Sequence, residues 1–361
     1  MVRLCNFLGK EMINTSDFNF FTKTLNIIAE IDKFNGYWNG TFDKTNKYLL
    51  LNLKKISTIE SIGSSNRIEG NKLSDTEIAT VLANLNKNSF RDRNDEEVAG
   101  YANLLNTIFD NFVNIPLTEN YIKYLHKVML SVVSKDNSHY GEYKKIPNSV
   151  VAFDEHGVEI GTIFETATPF DTQRLMTELI TWTNQALEEK ILHPLIVIAI
   201  FVVHFLAIHP FQDGNGRLSR ALTILLLLRS GYSYVPYSSI ESIIELNKTV
   251  YYSALRQSQK NIWNGKVNYE PWIEFFLSTL QKQVRNLEAK MKRLKQETSL
   301  SKNAKVIAEF FMKQPEWTAR ELAEKSNVNL ETVRKILQSL CKQNYIVKFG
   351  TTKSSFYRKM D

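Results

Sequence analysis

The stretch HPFQDGNGRLSR, residues 209–220, directly follows the apolar run PLIVIAIFVVHFLAI, residues 194–208. That run is interrupted by His204 and is shorter than the roughly 20 residues needed to cross a membrane, so we predict a buried helix there. A second helix follows over Arg217–Arg229, closed by Gly231. A turn between two helices needs one glycine, whereas this corner carries two glycines, a histidine, a carboxylate and two arginines. This excess of functional groups indicates a ligand site.

The corner has the features of an anion site. The first N–H groups of a helix have no partner within the helix and lie at the positive end of its dipole, so they attract negative charge. Gly214-Asn215-Gly216 precedes the second helix, and glycine lets a backbone approach a phosphate closely. Arg217 and Arg220 are three residues apart, and they therefore share a helix face.

The same corner contains a candidate metal ligand and a candidate base. Asp213 suits Mg²⁺, which proteins hold through one or two carboxylates together with phosphate oxygens and water. His209 can accept a proton near neutral pH. Taken singly, such residues are typical of a turn, a core histidine and a solvated helix face. Together they predict a magnesium–polyphosphate site with a base, although the glycine pattern is neither a phosphate-binding loop nor a dinucleotide-binding fingerprint.

The order of these residues resembles the signature of the Fic family of nucleotidyl transferases, His-Pro-Phe-x-Asp-Gly-Asn-Gly-Arg-x-x-Arg, at every fixed position. The resemblance extends over approximately residues 17–280. It implies a protein adenylyltransferase, an enzyme that transfers AMP from ATP to a Ser, Thr or Tyr hydroxyl of a target protein, or of itself, and releases pyrophosphate. Relatives of this fold also transfer other phosphate-containing groups, which is an alternative function.

The resemblance also implies a role for each matched residue. His209 would be the catalytic base, Asp213 would hold Mg²⁺, and Phe211 would anchor the loop in the core. The ATP-binding residues would be Gly214, Asn215 and Gly216 around the phosphates, Arg217 at the β-phosphate and Arg220 at the γ-phosphate. Tyr251 and Tyr252 either contact the adenine or belong to the core, and the sequence leaves both alternatives open.

Residues 141–168 differ from the rest of this region in their hydrophobic pattern. The segment VVAFDEHGVEIGTIF alternates and centres on Glu155-His156-Gly157, which predicts a β-hairpin. By the resemblance, this hairpin is a flap that binds the target protein by strand addition, a known mode of binding extended peptides. The target-binding residues would be Asn148, Ser149, Val150 and Val151.

A second candidate site lies in SNRIEGN, residues 65–71. Ser65 and Glu69 are four residues apart on one helix face, and a carboxylate at a helix C-terminus is disfavoured by the dipole, which suggests an external cation. Taken alone, this stretch is better explained by a solvated glutamate before a glycine cap, which is common. The resemblance implies an inhibitory helix in which Ser65 and Glu69 act together and Glu69 pairs with Arg220. Some relatives use this glutamate to remove AMP from a target, so a de-AMPylase is also left open.

The remaining periodicity is mostly helical. The predicted fold class is mainly α: a Fic-type helical core with a β-hairpin flap, plus a C-terminal winged helix-turn-helix domain. Further helices are predicted over Asp17–Asp32, Thr45–Ile68, Ser74–Asn86, Glu96–Val113, Thr118–Val133, Glu270–Leu280, and from a cap at Asp171 to Leu187. We predict an N-terminal helical region with the inhibitory helix at 1–110, a Fic catalytic core at 111–280, a charged helical connector at 281–300 and the winged helix-turn-helix domain at 301–361.

The C-terminal domain is the basic part of a chain whose net charge is +7. Residues 1–280 carry a net −3, residues 281–300 a net +4 and residues 301–361 a net +6. Three short helical patterns there precede two strands in YIVKFGTTKSSFYRK, which is the order of a winged helix-turn-helix. It would contact DNA through Glu331–Leu340 and Lys348–Lys353, or else bind a protein. A DNA-binding regulator with a nucleotide-sensing Fic domain is therefore the rival hypothesis.

The composition, 43% hydrophobic and 23% charged, is that of an ordinary globular protein. The N-terminus does not resemble a signal peptide, and Cys5 and Cys341 lie at opposite ends of the chain. We therefore expect a cytoplasmic protein with no disulfide framework and no membrane partner. Whether it forms a homodimer is left open.

Overall fold

A computed structural model describes residues 6–7, 10–11, 22–41, 47–85, 90–133, 139–153, 159–298, 301–314, 316–342, 346–350 and 355–359. The chain divides into two compact units, Met1–Asn286 and Leu287–Asp361. The division of the chain into four regions stays a prediction. Among the described residues, no helix is both long enough and apolar enough to span a bilayer.

The first unit is built mainly from helices. Its helices are α1 Thr22–Thr41, α2 Lys47–Ile68, α3 Asp75–Ala83, α4 Arg93–Asn111, α5 Glu119–Leu130, α6 Pro169–Glu189, α7 Pro194–Ile208, α8 Asn215–Arg229, α9 Ile240–Leu246, α10 Lys248–Gln259 and the first part of α11 Glu270–Thr298. Its strands are β1 Asn6–Phe7, β2 Lys10–Glu11, β3 Ser149–Phe153 and β4 Glu159–Glu165, paired antiparallel as β1–β2 and β3–β4. The predicted mainly α fold class is confirmed.

Helix α7 forms the centre of this unit. Every residue from Leu195 to Ile208 is buried, and the helix packs against α6, α8 and α10. A helix that is apolar on all faces is stable in water only when other elements cover it, because its burial removes apolar surface from solvent. The predicted buried helix is therefore confirmed over its full length, and its C-terminal end is fixed in the core.

One helix prediction differs from the structure in where the helix ends, and another in its cap. Helix α1 is described from Thr22, since residues 17–21 lie outside the described part of the chain, and it continues past Asp32 to Thr41 because Phe34 and Trp38 extend its buried stripe. Helix α6 is capped by Thr168, whose side chain accepts a hydrogen bond from the Asp171 N–H at 3.1 Å. The prediction of Asp171 as the cap was wrong, and the proline after Thr168 marks the first turn.

The middle of the chain contains helices that are not among the predicted ones. These are α9 and α10, which follow α8 and precede α11. Helix α11 is continuous, so the helix predicted at 270–280 and most of the predicted charged connector form one element.

The predicted β-hairpin is present as β3 and β4, whose register pairs Ser149 with Glu165. The register shifts between Val150 and Val151, as at a β-bulge. The predicted turn at Glu155–Gly157 lies outside the described residues.

The second unit contains the rest of α11, then α12 Lys302–Lys313, β5 Glu316–Thr318, α13 Ala319–Ser326, α14 Leu330–Lys342, β6 Ile346–Phe349 and β7 Phe356–Lys359. The strands form an antiparallel sheet in the order β5-β7-β6. Ile307, Leu322, Val333, Leu337 and Leu340 are fully buried in its core. Three helices and a hairpin occur in the predicted order, with β5 in addition, and the winged helix-turn-helix assignment stays a prediction.

Candidate active site

The ends of α7 and α8 meet at the corner formed by residues 209–214. His209 caps α7 in the left-handed conformation, with φ 53°, and its N–H donates to Phe205 O at 2.9 Å. Gly214 is the N-cap of α8 with φ 79°, and a Cβ at this position would overlap Met129. No side chain at the cap position satisfies the first turn of α8, so its N–H groups can bind an anion.

The ring of His209 is oriented to accept a proton. Its Nδ1 lies 3.2 Å from Leu206 O, so this nitrogen donates its hydrogen and Nε2 carries the free lone pair. Burial lowers the pKa of His209 to about 4. The ring is therefore neutral at pH 7, which is the state that a general base requires.

Buried side chains fix the shape of the corner. Phe211 is fully buried, as predicted, and stacks on His126 with ring centroids 3.9 Å apart. His126 Nδ1 accepts from Gly141 N–H at 3.0 Å, so its Nε2 donates to Asp213 O at 3.0 Å. The Asn215 side chain accepts from Phe211 N–H at 2.9 Å and donates to Phe211 O at 2.7 Å. Because the side-chain amide of Asn215 is bonded to Phe211, only its backbone N–H is available for a phosphate.

On one side of α8, Arg217 is buried but loosely contacted. The residue is 3% exposed, and its guanidinium lies 3.6 Å from Glu97 and 3.7 Å from Asp213. These separations exceed normal hydrogen-bond lengths, and among the described residues its Nε has no partner. A buried cation without good partners costs free energy, which a bound phosphate would recover. We call this the open side of α8.

A cleft of about 560 Å³ lies next to Arg217 and Asp213 on the open side. Arg93 borders it and pairs with Glu97 at 3.0 Å and with Asp213 at 3.4 Å. Neither Arg93 nor Glu97 is a predicted site residue. Both belong to α4, about 120 residues earlier in the chain, and charges near a helix start are too common to indicate a site.

The Asp213 carboxylate fits the predicted magnesium role. Its side chain is 46% exposed beside the cleft, and its Oδ1 accepts the Gly214 N–H at 2.6 Å. Within the described parts of the chain, no three His, Cys, Asp or Glu side chains form a metal-binding group. One carboxylate is nevertheless sufficient for Mg²⁺ when phosphate oxygens and water complete its coordination.

Three positions further along the same face of α8, where the helix meets the end of α2, Arg220 is buried and makes close hydrogen bonds. Its Nε donates to Ser65 Oγ at 2.9 Å, and its Nη2 donates to Ser65 O at 2.9 Å and to Glu69 Oε1 at 2.8 Å. The predicted contact between Glu69 and Arg220 is therefore present. Burial alone would raise the pKa of Glu69, but the charge of Arg220 and its hydrogen bond lower the pKa overall. We call this the closed side of α8.

The Glu69 carboxylate also lies against the first turn of α8. A Cβ on Gly216 would overlap Glu69 Oε1, so the missing side chain makes this approach possible. Because a helix N-terminus favours anions, the carboxylate lies where a phosphate oxygen would be stabilised. Glu69 thus contacts both the arginine and the backbone of the predicted phosphate site.

Further contacts fix the C-terminal end of α2. Arg67 donates to the two carboxylate oxygens of Glu245 at 2.7 and 3.0 Å and to Asp75 at 2.9 Å. Ser61 donates to the fully buried Glu241 at 2.8 Å. The Arg67–Glu245 and Ser61–Glu241 pairs were not predicted, because they join α2 to α9 across about 180 positions and no local pattern reveals such a pair.

The two tyrosines of α10 differ in their surroundings. Tyr251 is 3% exposed and packs edge-on against Tyr252 and Trp272, with centroid distances of 5.1 and 5.7 Å. The core alternative is thus favoured for Tyr251. Tyr252 is only half-buried, so contact with an adenine stays a prediction for it.

The predicted flap residues also separate into two kinds. Ser149, Val150 and Val151 lie on β3, which among the described strands pairs with β4 alone. Its second edge suits an added strand. The Asn148 side chain, by contrast, accepts from Lys144 and donates to Phe211 O at 2.9 Å. Asn148 therefore joins the flap to the corner.

The second unit exposes basic residues on α14, namely Arg334 and Lys335. The predicted DNA contact over Lys348–Lys353 falls partly on residues 351–354, which lie outside the described part of the chain.

Comparisons with known proteins give the relationship of the first unit. Residues 116–227 match the model of the Fic/DOC family. The "Protein adenylyltransferase Fic" of Culex quinquefasciatus is 42% identical over 64 residues, which are 18% of this chain and 13% of that protein. The protein of the same name from Drosophila sechellia is 31% identical over 114 residues, 32% of this chain and 20% of that protein. The chain thus matches at most a fifth of the length of either relative.

A solved structure resembles nearly the whole chain. The crystal structure of a Fic family protein from Desulfovibrio desulfuricans G20 covers 95% of this chain and 97% of its own, with a TM-score of 0.61 and 20% sequence identity. At this identity the likeness concerns the fold. The segment that matches the Fic/DOC family model contains the flap, α7 and the corner.

Proposed function

We propose that this chain is a protein adenylyltransferase restrained by Glu69, transferring AMP from ATP to a Ser, Thr or Tyr hydroxyl of a target protein. The observation that carries the proposal is the 2.8 Å contact of Glu69 with Arg220, next to the half-buried, neutral His209. The names of the curated relatives support the reaction class.

The chemistry follows from groups at the corner. His209 Nε2 takes the proton of the acceptor hydroxyl, whose oxygen then bonds to the α-phosphorus of ATP. The bond between that phosphorus and the oxygen bridging to the β-phosphate breaks, and pyrophosphate leaves. Arg217 and the first N–H groups of α8 stabilise the negative charge that develops. Asp213 would hold Mg²⁺, which when bound neutralises phosphate charge.

Glu69 opposes this reaction from the closed side. While its carboxylate pairs with Arg220 and lies against Gly216, a γ-phosphate cannot occupy the same positions without displacing it. Two anions competing for one guanidinium and one helix N-terminus exclude each other. A low basal rate follows, and removing the carboxylate should raise it.

In the first experiment, the wild type and three variants are each incubated with Mg²⁺ and ATP that carries ³²P at the α- or the γ-position. The label incorporated into protein is then measured. Glu69→Gly should raise protein labelling from the α-position at least about tenfold, since about 1.4 kcal/mol of restraint corresponds to that factor. His209→Ala should lower labelling by about 10²–10⁴. Glu188→Gly, the same change at an exposed glutamate near the end of α6, is the matched control. Label from the γ-position alone would mean phosphorylation and contradict the proposal.

De-AMPylation is a second candidate activity. The Glu69 side chain is about one-third exposed, and its charge reaches His209, since it raises the pKa of that ring against the effect of burial. A carboxylate near the site could therefore orient a water toward an AMP-modified hydroxyl. To test this, protein is first labelled with AMP by the Glu69→Gly variant. The labelled protein should lose AMP when unlabelled wild type is added, and should keep AMP when unlabelled Glu69→Gly is added instead.

The rival, a DNA-binding regulator, makes a different prediction. Exposed Arg334 and Lys335 on α14 would contact phosphates, and affinity for duplex DNA would fall steeply with salt. Salt-dependent, sequence-specific retention of the full chain on DNA, together with no α-label in Glu69→Gly, would favour the regulator.

A further inference from the structure

Lys144 is a buried lysine that none of the roles above uses. It is 4% exposed, and its Nζ donates to Asn148 Oδ1 at 2.8 Å, to Thr166 Oγ1 at 2.8 Å and to Ile208 O at 2.9 Å. Its backbone N–H donates to Pro210 O at 2.8 Å. One residue therefore contacts both ends of the flap and both neighbours of His209.

The chemistry of these contacts points to orientation. The three acceptors of the Lys144 ammonium are an amide, a hydroxyl and a peptide carbonyl, so none of them neutralises its charge. Burial lowers the pKa of Lys144 to about 8, which shows that its charge is poorly solvated. All three N–H groups have acceptors, so this nitrogen has no free lone pair with which to act as a base or nucleophile.

We propose that Lys144 is the positioning residue that fixes His209 relative to the flap, an inference that rests on the proposed function. His209 is in the left-handed conformation, which is strained for a non-glycine residue and persists only where the surroundings hold it. Lys144 holds the chain on both sides of it, at Ile208 and at Pro210.

The same contacts set the distance between the flap and the base. The Thr166 hydroxyl, which has one hydrogen to donate, lies 2.7 Å from both Asn148 O and Asn148 Oδ1, and Asn148 donates to Phe211 O at 2.9 Å. The ammonium of Lys144 lies at the centre of this group. A target strand added to β3 would therefore present its hydroxyl at a fixed place relative to Nε2. Misplacement of reacting groups by about 1 Å costs roughly 10² in rate.

The activity test uses the Glu69→Gly protein as the parent. Adding Lys144→Met, which keeps the chain length and removes the donors, should lower the labelling rate at saturating ATP by about ten- to hundredfold. The KM for ATP should stay within about twofold, because Lys144 contacts none of the predicted phosphate ligands. Lys144→Arg, which keeps charge and donors, should recover most of the rate. Lys145→Met changes the exposed neighbouring lysine and is the matched control.

A second readout does not depend on activity. Hydrogen–deuterium exchange of the full chain should be at least about tenfold faster in Lys144→Met than in Lys145→Met for the amides of His209 and Ala167, which donate to Phe205 and Ala207. Amides of α8 should be unchanged, which shows that the variant is folded. If the parent takes no label, the proposed function fails and the exchange alone decides the role of Lys144. Unchanged exchange, or a rate within about twofold of the parent, would overturn the inference.

Discussion

The two sides of helix α8 hold a buried arginine in opposite ways. On the closed side, Arg220 makes hydrogen bonds of 2.8–2.9 Å with Ser65 and Glu69. On the open side, Arg217 lies 3.6 Å or more from its carboxylate neighbours beside a cleft of about 560 Å³. The two residues are three positions apart on one helix, so the difference comes from the elements packed against each side.

The motif lists the two arginines alike, but the structure distinguishes an arginine available to a ligand from one already paired with an anion. The arginine with poor protein contacts is left able to bind a ligand, since a phosphate would supply the hydrogen bonds it lacks. The arginine with good contacts already has an anionic partner, so a ligand must compete for it. This difference supports the proposed roles, in which the open side binds ATP and the closed side restrains the reaction.

The largest expected effect is on stability. Arg220→Met should lower the free energy of unfolding by about 2–4 kcal/mol, because it leaves the Ser65 acceptors buried without a donor and Glu69 without its cation. Arg217→Met should change it by less than about 1 kcal/mol, since the contacts it removes are loose. Urea unfolding of the two variants measures both values. Equal losses would show that the two sides do not differ energetically.

A smaller effect is expected at Gly216. In Gly216→Ala the new methyl group displaces the Glu69 carboxylate, so the unfolding free energy should fall by about 1 kcal/mol. In the Glu69→Gly background the same change should be neutral or slightly stabilising, because the overlap is gone. Gly36→Ala in α1, where the structure shows open space, should be stabilising by about 0.5–1 kcal/mol in both backgrounds. A loss at Gly216 that is the same with and without Glu69 would place the carboxylate elsewhere.

The smallest expected effect is that of mild acid on the restraint. The pKa of Glu69 is lowered from its usual value of 4.5, so its pairing with Arg220 is present above that value and is lost only as pH falls through the lowered pKa. His209, with a pKa of about 4, is also neutral above pH 5.5. The ratio of the Glu69→Gly labelling rate to the wild-type rate should therefore change less than about twofold between pH 5.5 and 7. Labelling by the wild type that approaches that of Glu69→Gly at pH 5.5 would show that acid opens the closed side.

The sequence indicated which residues meet at the corner, because they are adjacent in the chain. The order of residues 209–220 located the corner, and spacing placed Ser65 and Glu69 on one helix face, while their contact with Arg220 was expected only from the resemblance to the Fic family. A motif of this kind is readable because its members share one turn and one helix start.

Apart from the Glu69–Arg220 contact, which the family resemblance implied, the sequence did not predict contacts made between distant elements. Lys144 and Lys145 are indistinguishable by residue type, and only the packing of the flap and α7 buries one of them. Asn215 shows a related limit, since its place in the motif suggested a phosphate ligand while its side chain bonds Phe211. The position of a polar residue in a motif does not state which way its side chain points.

The contacts of Ser65 have a consequence for how the restraint is released. If the Glu69 carboxylate turns away, Arg220 keeps two of its three hydrogen bonds, both to Ser65. The Arg220 side chain therefore stays ordered. Ordering a long, flexible side chain otherwise costs about 1.5–2 kcal/mol of conformational entropy. Release of the proposed restraint would therefore require a rotamer change of one partly exposed side chain and no withdrawal of α2. Under that proposal, a molecule that binds Glu69 alone would suffice to raise the activity.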